Sequence, residues 1–202
     1  MNYADIKRVD VANGPGIRVS LFVSGCRHQC KNCFNPETWS FQYGKVFSPI
    51  SEKEVLSYLE PDHIRGLTLL GGDPMEPENQ EGLLPLLRKV KQQFPEKTIW
   101  CYTGYTFEED ILGDMWDNCP YTREFLSYID VLVDGEFVEA KKDLSLRFRG
   151  SSNQRIILVQ ESLKEKSVQL YHFNDYRKGE YYGTESKCEI IKGTGNCAYL
   201  WK

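Results

Sequence analysis

The sequence predicts an α/β fold with a mostly parallel sheet, followed by a small β-rich C-terminal appendage. Three observations carry this expectation. Short apolar runs at 17–23, 67–70, 98–102 and 131–133 read as buried strands, and stretches of helical periodicity separate them. Strand–helix alternation of this kind builds βαβ units with right-handed crossovers. The chain has 202 residues, enough for one domain with a real core and an appendage. The first domain is placed at 1–155 and the extension at 156–202.

In chain order, residues 1–16 read as a lead-in ending in the turn Asn13-Gly14-Pro15-Gly16. Ile17, Val19, Leu21 and Val23 then fall on one face of a strand, with Phe22 on the other. Ser51 and Glu54 form a capping box for a helix whose apolar side is Val55, Leu56 and Leu59, and Pro61 stops it. The strand at 67–70 runs into Gly71-Gly72-Asp73-Pro74. A helix over 80–93 follows, with Leu83, Leu84, Leu87 and Val90 at helical spacing and Pro85 in its first turn. The strand from Thr98 to Tyr102 leads into Thr103-Gly104-Tyr105. A helical region at 107–128 precedes the strand at 131–133 and Asp134-Gly135. Beyond 156, short strands are expected at 168–173, 181–184 and 189–191.

Composition is that of an ordinary soluble globular protein, with 41% hydrophobic and 27% charged residues. A net charge of −4 advertises no general polyanion-binding surface, so nucleic acid is not an expected partner. No apolar run is long enough to span a bilayer and no secretory leader is evident, so neither a membrane nor export is expected. The cysteines number seven, an odd count, and three of them crowd one loop, which favours metal binding in a reducing compartment such as the cytosol.

That loop is Cys26-Arg-His-Gln-Cys30-Lys-Asn-Cys33. Three thiolates from one short loop suit a soft metal: zinc, copper or iron–sulfur. A structural zinc site would need a fourth ligand, from His28, Cys101 or a distant tail cysteine; without one, a metal position stays open for chemistry. A [4Fe–4S] cluster held by three cysteines would keep one iron for the amine and carboxylate of a small molecule. Gly71 and Gly72 leave bare backbone at a strand end, able to approach such a ligand, and Pro74 holds Asp73 extended in the same turn. Successive parallel strands put this turn, the cysteine loop, Thr103-Gly104-Tyr105 and Asp134-Gly135 on one sheet edge, where α/β folds bind ligands. Thr103 is a candidate pocket wall. Asp134 faces a ribose or a cation, or caps a turn. Cys101, Cys119, Cys188 and Cys197 read as buried small hydrophobes or free thiols, with a second metal site from the last three as the alternative.

The Cys-x3-Cys-x2-Cys loop followed by Gly-Gly-Asp-Pro resembles the radical S-adenosylmethionine (SAM) superfamily. More narrowly, the chain resembles the activating enzymes of anaerobic ribonucleoside-triphosphate reductase. The resemblance runs in order through Asn13-Gly-Pro-Gly16, Phe22-Val-Ser-Gly-Cys26, Cys33-Phe-Asn-Pro36 with Thr38-Trp39, Trp100 through Tyr105, Val131-Leu-Val-Asp-Gly135 and Arg149-Gly-Ser-Ser-Asn-Gln154. It implies an incomplete (β/α) barrel in which Cys26, Cys30 and Cys33 ligate a [4Fe–4S] cluster and SAM chelates the fourth iron. Asn32, Cys33 and Phe34 would line the adenosyl side, and Gly72 would contact the methionine end. It further implies a SAM-derived radical that abstracts hydrogen from a glycine of the reductase, with a flavodoxin-type electron donor. Many radical SAM enzymes carry an aromatic just before the third cysteine; here Asn32 stands there and Phe34 follows. Residues past about 155 inherit no role from this resemblance. Two rival readings remain: an activase of another glycyl-radical enzyme, of formate-lyase type, and a non-catalytic zinc-binding module.

Overall fold

The computed structural model describes residues 1–173. Its core is a seven-stranded sheet: β1 (Asn2–Asp10), β2 (Ile17–Val23), β3 (Lys45–Val46), β4 (Ile64–Gly71), β5 (Thr98–Tyr102), β6 (Val131–Asp134) and β7 (Arg155–Leu158), in the order β3-β1-β2-β4-β5-β6-β7. The middle strands β2, β4, β5 and β6 are parallel, while β1, β3 and β7 add antiparallel edges. The fold is therefore mixed α/β with a mostly parallel sheet, as the alternation of apolar runs predicts.

Alternation along the strands gives the sheet two faces. Val19, Leu21 and Val23 of β2, Leu67 and Leu69 of β4, Ile99 and Cys101 of β5 and Leu132 of β6 join one apolar core. Helices α1 (Pro49–Leu59) and α2 (Pro77–Gln93) bring Val55, Leu59, Leu83, Leu87 and Val90 to that core. The opposite face is more polar. There the buried Arg18 guanidinium donates to Thr68 Oγ1 at 2.7 Å, Leu67 O at 2.7 Å and Thr98 O at 2.8 Å, so its donors are satisfied by the sheet itself.

Several local expectations are corrected. The lead-in over 1–16 contains a full strand, β1, whose exposed residues are fixed by antiparallel pairing with β2 rather than by an apolar pattern. Helix α1 starts two residues before Ser51, with Ser48 as its N-cap, because Pro49 supplies a first-turn residue that has no N–H to satisfy. Ser51 instead lies buried and hydrogen-bonds Tyr3 Oη. Likewise Pro77, not Pro85, opens α2, which begins earlier than residue 80. Pro85 sits inside the helix on its exposed side, where the carbonyl it frees can reach water. The helical region after β5 is a π-helical segment, Phe107–Met115, running through Trp116–Asn118 and then α3 (Thr122–Tyr128).

Past residue 155 the chain continues into the same sheet. Strand β7 pairs with β6, α4 (Val159–Glu165) follows, and Leu170 bridges back to Ile157. Residues 1–171 form one compact unit. In place of a full strand at 168–173 there is this single bridge. The strands expected at 181–184 and 189–191, and Cys188 and Cys197, lie outside the described residues. No helix among the described residues is long and apolar enough to cross a membrane.

Candidate iron–sulfur and SAM site

The parallel register of β2, β4, β5 and β6 delivers four loops to one sheet edge: the cysteine loop, the Gly71-Gly72-Asp73-Pro74 turn, Thr103-Gly104-Tyr105 and Asp134-Gly135. In the first, Gln29 and Asn32 adopt left-handed backbone (φ 51° and 58°), and the Cys33 N–H donates to Cys30 O at 3.0 Å. Asn32 thus closes the turn that brings the last two cysteines together, a conformation asparagine tolerates better than most residues. Cys26, Cys30 and Cys33 are all free and partly buried.

Backbone donors surround two of these sulfurs. Burial, then the Asp73 carboxylate, pushes the Cys26 thiol up to about 12, against the pull of the His28 and Gln29 N–H groups. Burial also raises Cys30, opposed by the Phe137 N–H from the segment after β6. No three His, Cys, Asp or Glu side chains among the described residues crowd closely enough to hold a single ion. A cluster needs no such crowding, since each thiolate serves a different iron.

The glycine turn is fitted against the cysteine loop. Gly72 N–H donates to Val23 O at 2.7 Å and Asp73 N–H to Gly25 O at 2.8 Å. A Cβ on Gly72 would stand 2.5 Å from Gly25 O, so backbone meets backbone here with no room for a side chain. Gly71 has a positive φ of 107°, which glycine alone adopts readily.

Asp73 is fully engaged. Its Oδ1 accepts from Met75 N–H at 2.8 Å, and its Oδ2 accepts from Thr103 Oγ1 at 3.0 Å and Gly104 N–H at 2.8 Å. Thr103 is buried and faces Asp73, so these two residues join the loops after β4 and β5. Asp134 is equally committed: its carboxylate is 1% exposed, caps the Phe107 N–H at 3.0 Å and pairs with Arg155. Phe34, beside Cys33, is 94% exposed.

The roles of three residues at this site were missed in the sequence. Glu76, fully buried, accepts the Arg27 N–H at 2.7 Å and pairs with its guanidinium, fastening the cysteine loop to the start of α2. Arg155 spans Asp134 and Glu108. His28, read as a plain loop residue or a fourth zinc ligand, turns inward between Glu136 and Asp73. Its Nδ1 lies 2.7 Å from Glu136 Oε1 and its Nε2 3.2 Å from Asp73 Oδ2. The second contact is off the line a hydrogen bond needs, so it is Coulombic. Burial works against the imidazolium, yet Asp73 and then Glu136 outweigh it and push His28 up to about 9. Cys101 packs in the apolar core. Neither His28 nor Cys101 therefore completes a tetrahedral zinc site. A cavity of about 610 Å³ opens beside the loop, walled by His28, Tyr105, Glu108, Asp134, Glu136 and Arg155, among others. That volume is in the range of small-molecule sites.

Comparison with known proteins agrees with this geometry. Residues 12–157 match the family model for a 4Fe-4S single cluster domain. The anaerobic ribonucleoside-triphosphate reductase-activating protein of Haemophilus influenzae is 46% identical over 158 residues, covering 77% of this chain and 97% of the relative. The protein of the same name from Enterobacteria phage T4 is 45% identical over 158 residues, covering 77% and 93%. That of Escherichia coli K12 is 41% identical over 156 residues, covering 76% and 96%. With identity at this level across nearly the whole of each relative, the chain belongs to the family of anaerobic ribonucleoside-triphosphate reductase-activating proteins.

Proposed function

We propose that this protein activates anaerobic ribonucleoside-triphosphate reductase as a radical SAM enzyme. The observation that carries the reading is the fit between a three-thiol loop and a side-chain-free glycine turn at one sheet edge. The residues present suit a [4Fe–4S] cluster: three free thiols, N–H donors aimed at Cys26 and Cys30, and a glycine turn seated backbone to backbone against Gly25, at the root of the cysteine loop. Cys26, Cys30 and Cys33 would hold the cluster, leaving one iron for SAM. With both bound, the cluster would supply the electron for reductive cleavage of SAM's sulfonium, and the cleaved cofactor the means of removing a hydrogen atom from a glycine of the reductase.

The protein's own part is to bind, orient and exclude solvent. Gly71 and Gly72 present bare backbone to the methionine end. Asn32, Cys33 and Phe34 flank the adenosyl side, and Asp73 and Thr103 hold the adjoining wall rigid through their mutual bond. Asp134 shapes that wall through Arg155 and the Phe107 N–H. In the same reading the sheet is the wall of an incomplete (β/α) barrel, and the activase domain, expected to end at 155, takes in β7 and α4 within the compact unit 1–171. The location is cytoplasmic and the electron donor flavodoxin-like.

The test is anaerobic iron–sulfur reconstitution followed by reduction with SAM present. Methionine and 5′-deoxyadenosine should form in equal amounts, and Cys30→Ala should abolish both the cluster and the cleavage. A colourless, air-stable protein that yields neither product would return the zinc-module reading.

A further inference from the structure

We propose that His28 is a positioning residue that keys the cysteine loop to the wall of the SAM cavity; this rests on the SAM reading above. Arg27 and His28 are consecutive, yet they anchor the loop in different places. Arg27 reaches Glu76 and Glu78 at the start of α2. His28 reaches Asp73 after β4 and Glu136 after β6, and its ring lies edge-on to Tyr105 after β5, with centroids 4.3 Å apart. One imidazole therefore touches all three of the other loops at the sheet edge. It is also the residue that the Cys26–Cys33 loop contributes to the cavity wall.

Gly104 supplies an independent observation. Its backbone has no positive φ, so conformation does not demand glycine there. A Cβ at this position would stand 2.6 Å from the His28 ring at Cδ2 and 2.7 Å from Nε2. The glycine is a clearance for the imidazole, and the two residues form a matched pair across two loops. A ligand chelated at the cysteine loop while lying along the Tyr105–Glu136 wall has to span both halves of the site. His28 is the joint that sets their separation.

The contact is tested first in the apo-protein by a double-mutant cycle. Gly104→Ala should lower the thermal midpoint, and adding His28→Ala should relieve that loss; additive effects would overturn the pairing. The role is then tested in reconstituted protein by iron content, SAM binding at equilibrium, and the change SAM causes in the electron paramagnetic resonance spectrum of the reduced cluster. His28→Ala should keep wild-type iron and sulfide, weaken SAM binding by about tenfold or more, the scale of one lost charge-assisted hydrogen bond, and alter that spectral change. Glu136→Gln, at a half-exposed position, should weaken SAM binding in the same direction by a smaller factor. His28→Ala that binds SAM as tightly as wild type, with an unchanged spectrum, overturns the inference alone. Loss of iron in His28→Ala overturns it in favour of a ligand role. Wild-type protein that loads the cluster but fails to bind SAM overturns both the inference and the function it rests on.

Discussion

Replacing Gly72 by alanine tests the close fit on which the site depends. The new Cβ would stand 2.5 Å from Gly25 O, 2.9 Å from Gly25 N and 2.9 Å from Thr38 O, all of them backbone atoms. Ordinary contact begins at 3.4 Å, so Gly25 O must retreat by about 0.9 Å (3.4 − 2.5). It is not free to do so. Gly25 O accepts from Asp73 N–H at 2.8 Å, and Gly25 N–H donates to Thr38 O at 2.7 Å. Overpacking of this kind costs about 1–3 kcal/mol, and weakening one backbone hydrogen bond adds about 1 kcal/mol. A loss of about 2–4 kcal/mol corresponds to a midpoint lowered by roughly 5–15 °C in a chain of this size. The assay is thermal and urea unfolding of the apo-protein, followed by iron and sulfide content after anaerobic reconstitution. Gly113→Ala is the control, since its Cβ meets only Glu108 O at 3.3 Å, and it should stay within about 0.5 kcal/mol of wild type. Should Gly72→Ala unfold with the wild-type midpoint and load a full cluster, the fitted turn would have no energetic meaning.

Other perturbations probe separate parts of the same account. With the Cys26 thiol pushed up to about 12, alkylation of Cys26 in apo-protein should still rise about tenfold per pH unit from pH 8 to 10; a plateau in that range would contradict the burial described. For Asp10, burial is outweighed by hydrogen bonds from Ser20, Asn13 and the Ala12 N–H, so its folded pKa is lowered. Its stabilisation is therefore present at neutral pH and lost as pH falls below about 4, and Asp10→Asn should flatten that part of the urea-midpoint profile. Arg155→Ala leaves the buried Asp134 carboxylate with the Phe107 N–H alone. Because Arg155 is partly exposed, the expected cost is about 1–3 kcal/mol, with partial recovery on adding Asp134→Asn; equal stability of wild type and Arg155→Ala would refute the pairing.

The parallel centre of the fold was legible because burial on both faces writes itself as apolar runs: 17–23, 67–70, 98–102 and 131–133 each became a strand. Once those strands were parallel, the meeting of their following loops was a geometric consequence. What stayed hidden depends on contacts distant in sequence. Strand β1 is largely exposed and charged, and only pairing with β2 makes it a strand. Ser48 and Ser51 both have capping chemistry, and the choice between them followed from Pro49 and from the partner Ser51 finds in Tyr3. Within the site, Asp73, Thr103 and Asp134 were legible as members of the right loops. Asp73 and Thr103 turned out to bond each other, and Asp134 the Phe107 N–H and Arg155, because buried polar groups at a loop junction must be satisfied there. Glu76 and Arg155 carried no local signal. For His28 a signal did exist, a histidine inside the cysteine loop, but its partners Asp73, Tyr105 and Glu136 lie on three other loops and only the fold brings them to it.

The most direct measurement of the central claim is an electron paramagnetic resonance spectrum of the anaerobic reductase after incubation with this protein, a reductant and SAM. A glycyl radical on the reductase is predicted with wild-type protein, absent when SAM is omitted and absent with Cys30→Ala. A reductase that remains radical-free beside cluster-loaded wild-type protein and SAM, or one that gains its radical equally well from Cys30→Ala, would contradict the account.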